Sequence, residues 1–451
     1  MACYYYVPFQ GHCSFRNPTV SFSHKFNLLN TSHHLSSCFK PFFSEFEQLV
    51  FGVDVLKSSV KNTAVKIKSC VWRIEVDQVY IWAVKFHVDV VINRPFTAHP
   101  KRAPGTGELV TMGIAATKPF VEMGVISADG KELLHKLDLK LDRCPLCHEL
   151  GVTERCIRYN VFLDFPVTVD INRLIHGGQL IKYESEGYAR IGIMPRYGHA
   201  DSIRWFKVKP NCTFHIFHCF EDGDEVVVWG FRALASVIPG PEPGSKGVEW
   251  FPEKFKPSPG KPMEDAISED QLLFPRPYEW RLNVRTRDVK ERYLTGPNQF
   301  PMEFPMINGA FTGVKNKYGY TQIPWSFFHL VISGMGRFGG LAKLYFEERK
   351  GGNQVDGSIG VEYHMFEKNT YCSGAAFVPK EGGVEEDDGW IITFVHHQDT
   401  NISQVYIIDT KNFLNEPVAR ITLPCRVPDG FHGAFVPIQL QNRITRMLPE
   451  I

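Results

Sequence analysis

The stretch Trp390 to Asn412, WIITFVHHQDTNISQVYIIDTKN, constrains the fold more than any other part of the chain. Two apolar, β-branched runs flank a polar turn, and a second turn follows an aspartate. Units of the same kind recur in PYEWRLNVRTRDVKERYL, GGLAKLYFEERKG and PVARITLP, and helical periodicity is almost absent. Short antiparallel units repeated in this way predict an all-β chain arranged as a radial array of small sheets, a β-propeller. The 37 glycines and 30 prolines supply turns, and the 35 phenylalanines supply an aromatic interior.

Charge narrows the classes of partner. Lysine plus arginine (50) nearly balances aspartate plus glutamate (49), so no overall field favours nucleic acid or an anionic surface. No apolar run is long enough to span a bilayer. The eleven cysteines are scattered and odd in number, which predicts reduced thiols of an intracellular compartment. Residues 1–45 read as a transit peptide or a disordered N-terminus, because Met1 to Ser44 holds no aspartate or glutamate and is rich in serine, histidine and aromatics. A plastid address follows from the first of these, a cytoplasmic one from the second. Residues 46–451 read as one propeller domain, with a short helix in Phe43–Val60 and a long surface loop over residues 238–270.

The candidate chemistry lies in histidines at strand ends. In Cys212 to Gly230, CTFHIFHCFEDGDEVVVWG, strict alternation puts Phe214, Ile216, His218 and Phe220 on one face and His215, Phe217, Cys219 and Glu221 on the other. Only one of His215 and His218 can then face a given centre. His99 precedes Pro100, which ends a ladder; His148 follows Cys144 and Cys147; His432 sits in GFHG. No second C-x-x-C accompanies Cys144 and Cys147 at zinc-ribbon spacing, and Val152 stands where H-E-x-x-H needs its second histidine. In a propeller, inner strand ends converge on the axis, so His99, His148, His215 and His432 could share one metal there. Four neutral imidazoles suit iron, copper or zinc.

The motifs FTAHPK, CHELGVTE, CTFHIFHCFEDGDE, MEFPMING and VPDGFHGAF, in this order over roughly Phe96 to Gln441, resemble those of the carotenoid cleavage dioxygenases of plants, members of the carotenoid oxygenase family. The resemblance implies a seven-bladed propeller with a small helical cap and an axial Fe(II) held by His99, His148, His215 and His432. It also implies cleavage of one double bond of a carotenoid or apocarotenoid by O2 into two carbonyl products. Of three glutamates that orient the ligand imidazoles in the family, Glu303 of MEFPMING matches one. The chain departs from the family pattern elsewhere. Gly374 stands where another of the glutamates is expected, and Glu75, the one glutamate between Asn62 and Arg94, lies in an unmatched context. His218 replaces an asparagine, and Arg155 to Arg158 read as a short insertion. The early blades have no counterpart before Phe96, so the propeller is expected to lack one or more N-terminal blades. The alternative is a truncated, non-catalytic member or a metal-free propeller that binds or scaffolds. Apolar residues from Phe165 to Ile181 are expected either to cap the substrate tunnel or to touch a membrane surface.

Overall fold

The computed structural model describes residues 97–234, 275–324, 337–347 and 358–435, apart from positions 104, 155–157, 179, 297–299 and 429, together with the backbone of 71–76 and 79–84. The expected N-terminal leader, the helix in Phe43–Val60, the loop over 238–270 and most of the inserted Arg155–Arg158 stretch lie outside the described residues.

An isolated hairpin, β1 (Val71–Val76) with β2 (Val79–Val84), comes first. Five four-stranded antiparallel units follow. The first blade runs β3 (Lys101–Arg102), β4 (Leu109–Ile114), β5 (Val121–Ile126) and β6 (Leu133–Asp138). The second pairs β7 (Leu150–Val152) and β8 (Tyr159–Asp164) with β11 (Ala189–Pro195) and β12 (Arg204–Val208). Between β8 and β11 it carries an insertion of β9 (Val167–Val169), α1 (Ile171–Ile175) and β10 (Ile181–Tyr183). The third is β13 (Ile216–Asp222), β14 (Glu225–Arg232), β15 (Arg276–Asn283) and β16 (Val289–Tyr293). The fourth, β17 (Glu303–Met306), β18 (Tyr318–Pro324), β19 (Phe338–Tyr345) and β20 (Gly360–Met365), meets the fifth at a single Phe338–Cys372 pairing. That fifth blade is β21 (Thr370–Pro379), β22 (Gly389–His397), β23 (Ile402–Asp409) and β24 (Ala419–Thr422).

The innermost strands touch in the order β3, β7, β13, β17, β21, which is the radial layout of a propeller. Among the described residues no strand of the fifth blade pairs with one of the first, so the ring of sheets is not closed. The predicted strand–turn–strand units are present as β15–β16, β19 and β22–β24. The one α-helix among the described residues is α1, five residues long and inside the segment expected to form a cap or membrane contact.

Alternation along each strand builds the core in slabs between blades. Val226 and Val228 of β14 face Met112, Met123, Phe162 and Ile191, on the side of the first two blades. Val227 and Trp229 face Ile323, Leu344 and Phe346 of the fourth. A third slab joins Tyr320 and Leu341 to Ile391, Val395 and Ile408. Each large side chain so buried contributes about 1.5–3 kcal/mol. A polar tie reinforces the third slab. Lys343, 2% exposed, donates to Asp387 Oδ2 (3.0 Å) and to the Thr410 carbonyl (2.8 Å), and its ammonium lies 4.3 Å from the Tyr318 ring centre. Removing one partner of a buried pair strands the other charge. Asp387→Ala should therefore lower stability by about 3–5 kcal/mol, read as a fall in the urea midpoint.

The strict alternation expected for CTFHIFHCF fails at one point. The β13–β14 register shifts between Ile216 and His218, so Ile216 and Cys219 both face the first slab, while Phe217 and Phe220 face the second. A β-bulge at Phe217 inserts the extra residue, and bulges commonly re-aim side chains beside active sites.

Candidate metal centre

His99 stands two residues before β3, His148 two before β7 and His215 immediately before β13, so three blades deliver a histidine from the same end of their innermost strands. His432 arrives differently. It lies in an irregular segment after β24, and no described strand begins or ends beside it. Gly433 packs so closely on β21 that a Cβ there would stand 2.8 Å from the Ala375 carbonyl carbon and oxygen. Gln322 of β18 also holds this segment, donating to the Phe431 carbonyl at 2.6 Å.

The four imidazoles converge. One ligating nitrogen from each lies within 4.8 Å of the others. His148 Nε2 is 3.0 Å from His99 Nε2 and 3.2 Å from His215 Nε2. Two donors about 2.1 Å from one ion at a right angle are about 3.0 Å apart, so the spacing fits a shared metal. Hydrogen bonding alone does not account for it. His148 Nε2 offers either one proton or one lone pair, yet faces two other ring nitrogens.

The electrostatics agree. Burial, and then mutual repulsion, holds His99, His148 and His432 well below the usual imidazole range, so they present lone pairs. Burial also opposes charge on His215, but the Glu303 carboxylate outweighs it and raises that imidazole. Glu303, the first residue of β17, accepts from His215 Nδ1 at 2.8 Å. With the proton on Nδ1, the Nε2 lone pair of His215 faces the centre. Glu303 Oε2 also accepts from the Phe304 amide at 2.6 Å, and Phe304 takes a left-handed backbone, φ 60°. Such a conformation costs a non-glycine residue about 1–3 kcal/mol and concentrates at functional sites. Here it sets the Phe304 ring against His215 (5.2 Å) and His432 (4.9 Å), stacked on Phe431 at 5.3 Å.

His148 Nδ1 is buried with no hydrogen-bond partner among the described residues. Gly374, where the family resemblance places a glutamate, has φ 86° within an irregular stretch of β21, and its carbonyl accepts from Thr393. His218 is not part of the centre. It is 2% exposed, stacked on Trp229 at 5.3 Å, and burial holds it at about 3, a neutral core imidazole.

Cys144 and Cys147 are buried thiols pushed up to about 12 by that burial. Cys144 donates to the Ala115 carbonyl, Cys147 to that of Glu149. Neither is a reactive dithiol at neutral pH. Brief alkylation at pH 7.5, mapped by mass spectrometry, should label the exposed Cys425 and leave Cys144 and Cys147 unmodified until the chain unfolds.

Phe304, Phe431, Lys101 and Glu149 surround the histidines but escaped prediction. Each sits inside a motif already singled out, one or two residues from a ligand or from Glu303. That adjacency was the available signal.

Known proteins are similar to this chain in sequence and in fold. A carotenoid 9,10(9',10')-cleavage dioxygenase of Crocus sativus is 34% identical over 357 residues, covering 77% of this chain and 58% of its own. A carotenoid 9,10(9',10')-cleavage dioxygenase 1 of Arabidopsis thaliana is 33% identical, covering 77% and 59%. This chain thus spans less than two thirds of either relative. The crystal structure of Pseudomonas brassicacearum lignostilbene dioxygenase superposes with a TM-score of 0.61 at 21% identity, over 84% of this chain and 76% of that one, and shares the fold. The family model described as RPE65, retinal pigment epithelial membrane protein, matches residues 73–437. With most of its length inside that match, the chain belongs to the RPE65, or carotenoid oxygenase, family.

Proposed function

We propose that this chain is a non-haem iron dioxygenase that cleaves one double bond of a carotenoid or apocarotenoid with O2, giving two carbonyl products. The observation that carries the proposal is the convergence of four ring nitrogens within 4.8 Å, from three buried histidines and the half-buried His432, delivered by separate parts of the chain. The names of the similar dioxygenases support the substrate class. His99, His148, His215 and His432 would hold Fe(II), and the bound ion would supply the O2 chemistry that neither imidazole nor phenyl groups provide.

The chain's own residues do the rest. Glu303 fixes the His215 tautomer and adds a negative charge beside a cationic centre, which four neutral imidazoles leave uncompensated. Phe214 and Phe304 pack against ligand imidazoles and Phe431 stacks on Phe304, an apolar surround that would exclude water and favour an apolar polyene over a polar ligand. The exposed Ile171 and Ile175 of α1 extend the proposal to a peripheral contact with the membrane in which such a substrate dissolves.

The test is iron content followed by turnover. Purified chain loaded anaerobically with Fe(II) should hold about one iron and, given O2 and a carotenoid, should place one atom of ¹⁸O2 in each carbonyl product. Folded protein that takes up no iron would sink the proposal.

A further inference from the structure

Glu149, next to His148, touches the surroundings of three of the four histidines. It is 3% exposed. Its Oε2 accepts from the backbone amide of Ile216, the residue after His215, at 2.7 Å. Its Oε1 forms an ion pair with Lys101, two residues beyond His99. Its backbone pairs in parallel with His99 itself, and the Thr97 hydroxyl ties the same strands by donating to the His148 carbonyl at 2.6 Å. One carboxylate thus joins the first three blades at the points where they deliver their histidines.

Charge makes this more than a strut. Lys101 lies two residues beyond His99 and is held on Glu149, which adjoins His148, so its ammonium stands beside the cluster. A cation added among four neutral imidazoles would be repelled by that ammonium in a medium of low dielectric. Glu149 is the partner that neutralises it. We infer that Glu149 is a positioning residue of the metal centre, holding the His99, His148 and His215 strand ends in register and cancelling the Lys101 charge so that a divalent ion can bind. The inference rests on reading the four histidines as a metal centre.

The experiment titrates apoprotein anaerobically with Co²⁺, following visible absorption, for wild type, E149A, E149Q and the double variant K101M/E149Q, each checked by urea unfolding. E149A loses both the strut and the charge, and is expected to bind about tenfold to a hundredfold more weakly with an altered spectrum. E149Q keeps an oxygen for the Ile216 amide but leaves Lys101 unpaired, and should weaken binding by at least about tenfold. K101M/E149Q should recover most of that loss, which a purely structural role would not produce. Wild-type affinity and spectrum in E149Q, or no recovery in the double variant, would overturn the inference while leaving the metal centre standing. Wild type that binds no Co²⁺ would overturn both.

Discussion

His215→Ala and His432→Ala should each leave a folded chain whose affinity for a divalent metal has fallen by more than a hundredfold, roughly the upper end of what losing an outer partner of a ligand costs. Each removes one of four donors that share one centre, and no other described histidine, cysteine or acid stands ready to replace it. The fold should hardly notice. Without metal, the four converging nitrogens crowd one another and His148 Nδ1 has no partner among the described residues, so deleting one ring removes repulsion as well as packing. Anaerobic equilibrium dialysis against Co²⁺, beside thermal unfolding of the apoproteins, reads both halves. Metal binding at the wild-type level in either variant would refute the four-histidine centre. A metal-free propeller that merely scaffolds would bind no Co²⁺ in wild type or variant.

Glu303→Gln has the next largest expected effect, about a tenfold to hundredfold loss of metal affinity. Its pH dependence identifies the cause. In the wild-type apoprotein, burial works against charge on His215 but Glu303 raises its pKa above the ordinary 6.5. Protons therefore compete with metal, and affinity should decline as pH falls through that raised pKa. Losing the carboxylate removes the largest of the influences that raise His215, so the decline in E303Q should move to lower pH even though its affinity at high pH is weaker. Linkage gives the matching signature in stability. A raised histidine pKa stabilises the folded apoprotein fully below the unfolded value, and that contribution fades as pH rises through the folded one. E303Q should lose stability at pH 5.5 and little at pH 8.5. If the two metal-binding curves fall at the same pH, Glu303 does not set the protonation of His215.

Much of this was legible in the chain. β22 to β24 announced themselves by alternation, and turn signals marked the hairpins; Gly130 and Gly223 both adopt the positive φ that those turns need. His99, His148 and His215 could be picked out because each stands at the start of an innermost strand, where apolar pattern stops and a motif begins, and Glu303 through the resemblance of MEFPMING. Two local details were not legible. Alternation assigns Cys219 to the face of Phe217, but the bulge puts them on opposite sides, and nothing in IFHCF marks one residue as extra. The left-handed Phe304 is equally silent, since its strain is sustained by its contacts with Glu303, His215 and Phe431. Glu149 illustrates the general reason. Its partners lie 48 and 67 residues away, and only the stacking of three blades brings them together.

The position of His432 has a consequence for biosynthesis. The ribosome releases the chain from its N-terminus, so His99, His148 and His215 emerge in sequence, each with its own blade. His432 follows only after β24, the last of the described strands. A nascent chain therefore offers an ion at most three of these donors until residue 432 has emerged, and Gly433 must then settle onto β21 before the fourth can be presented. A full set of four donors thereby exists only once the five described blades have been made: a chain arrested between β24 and residue 432 would have these sheets and no finished centre.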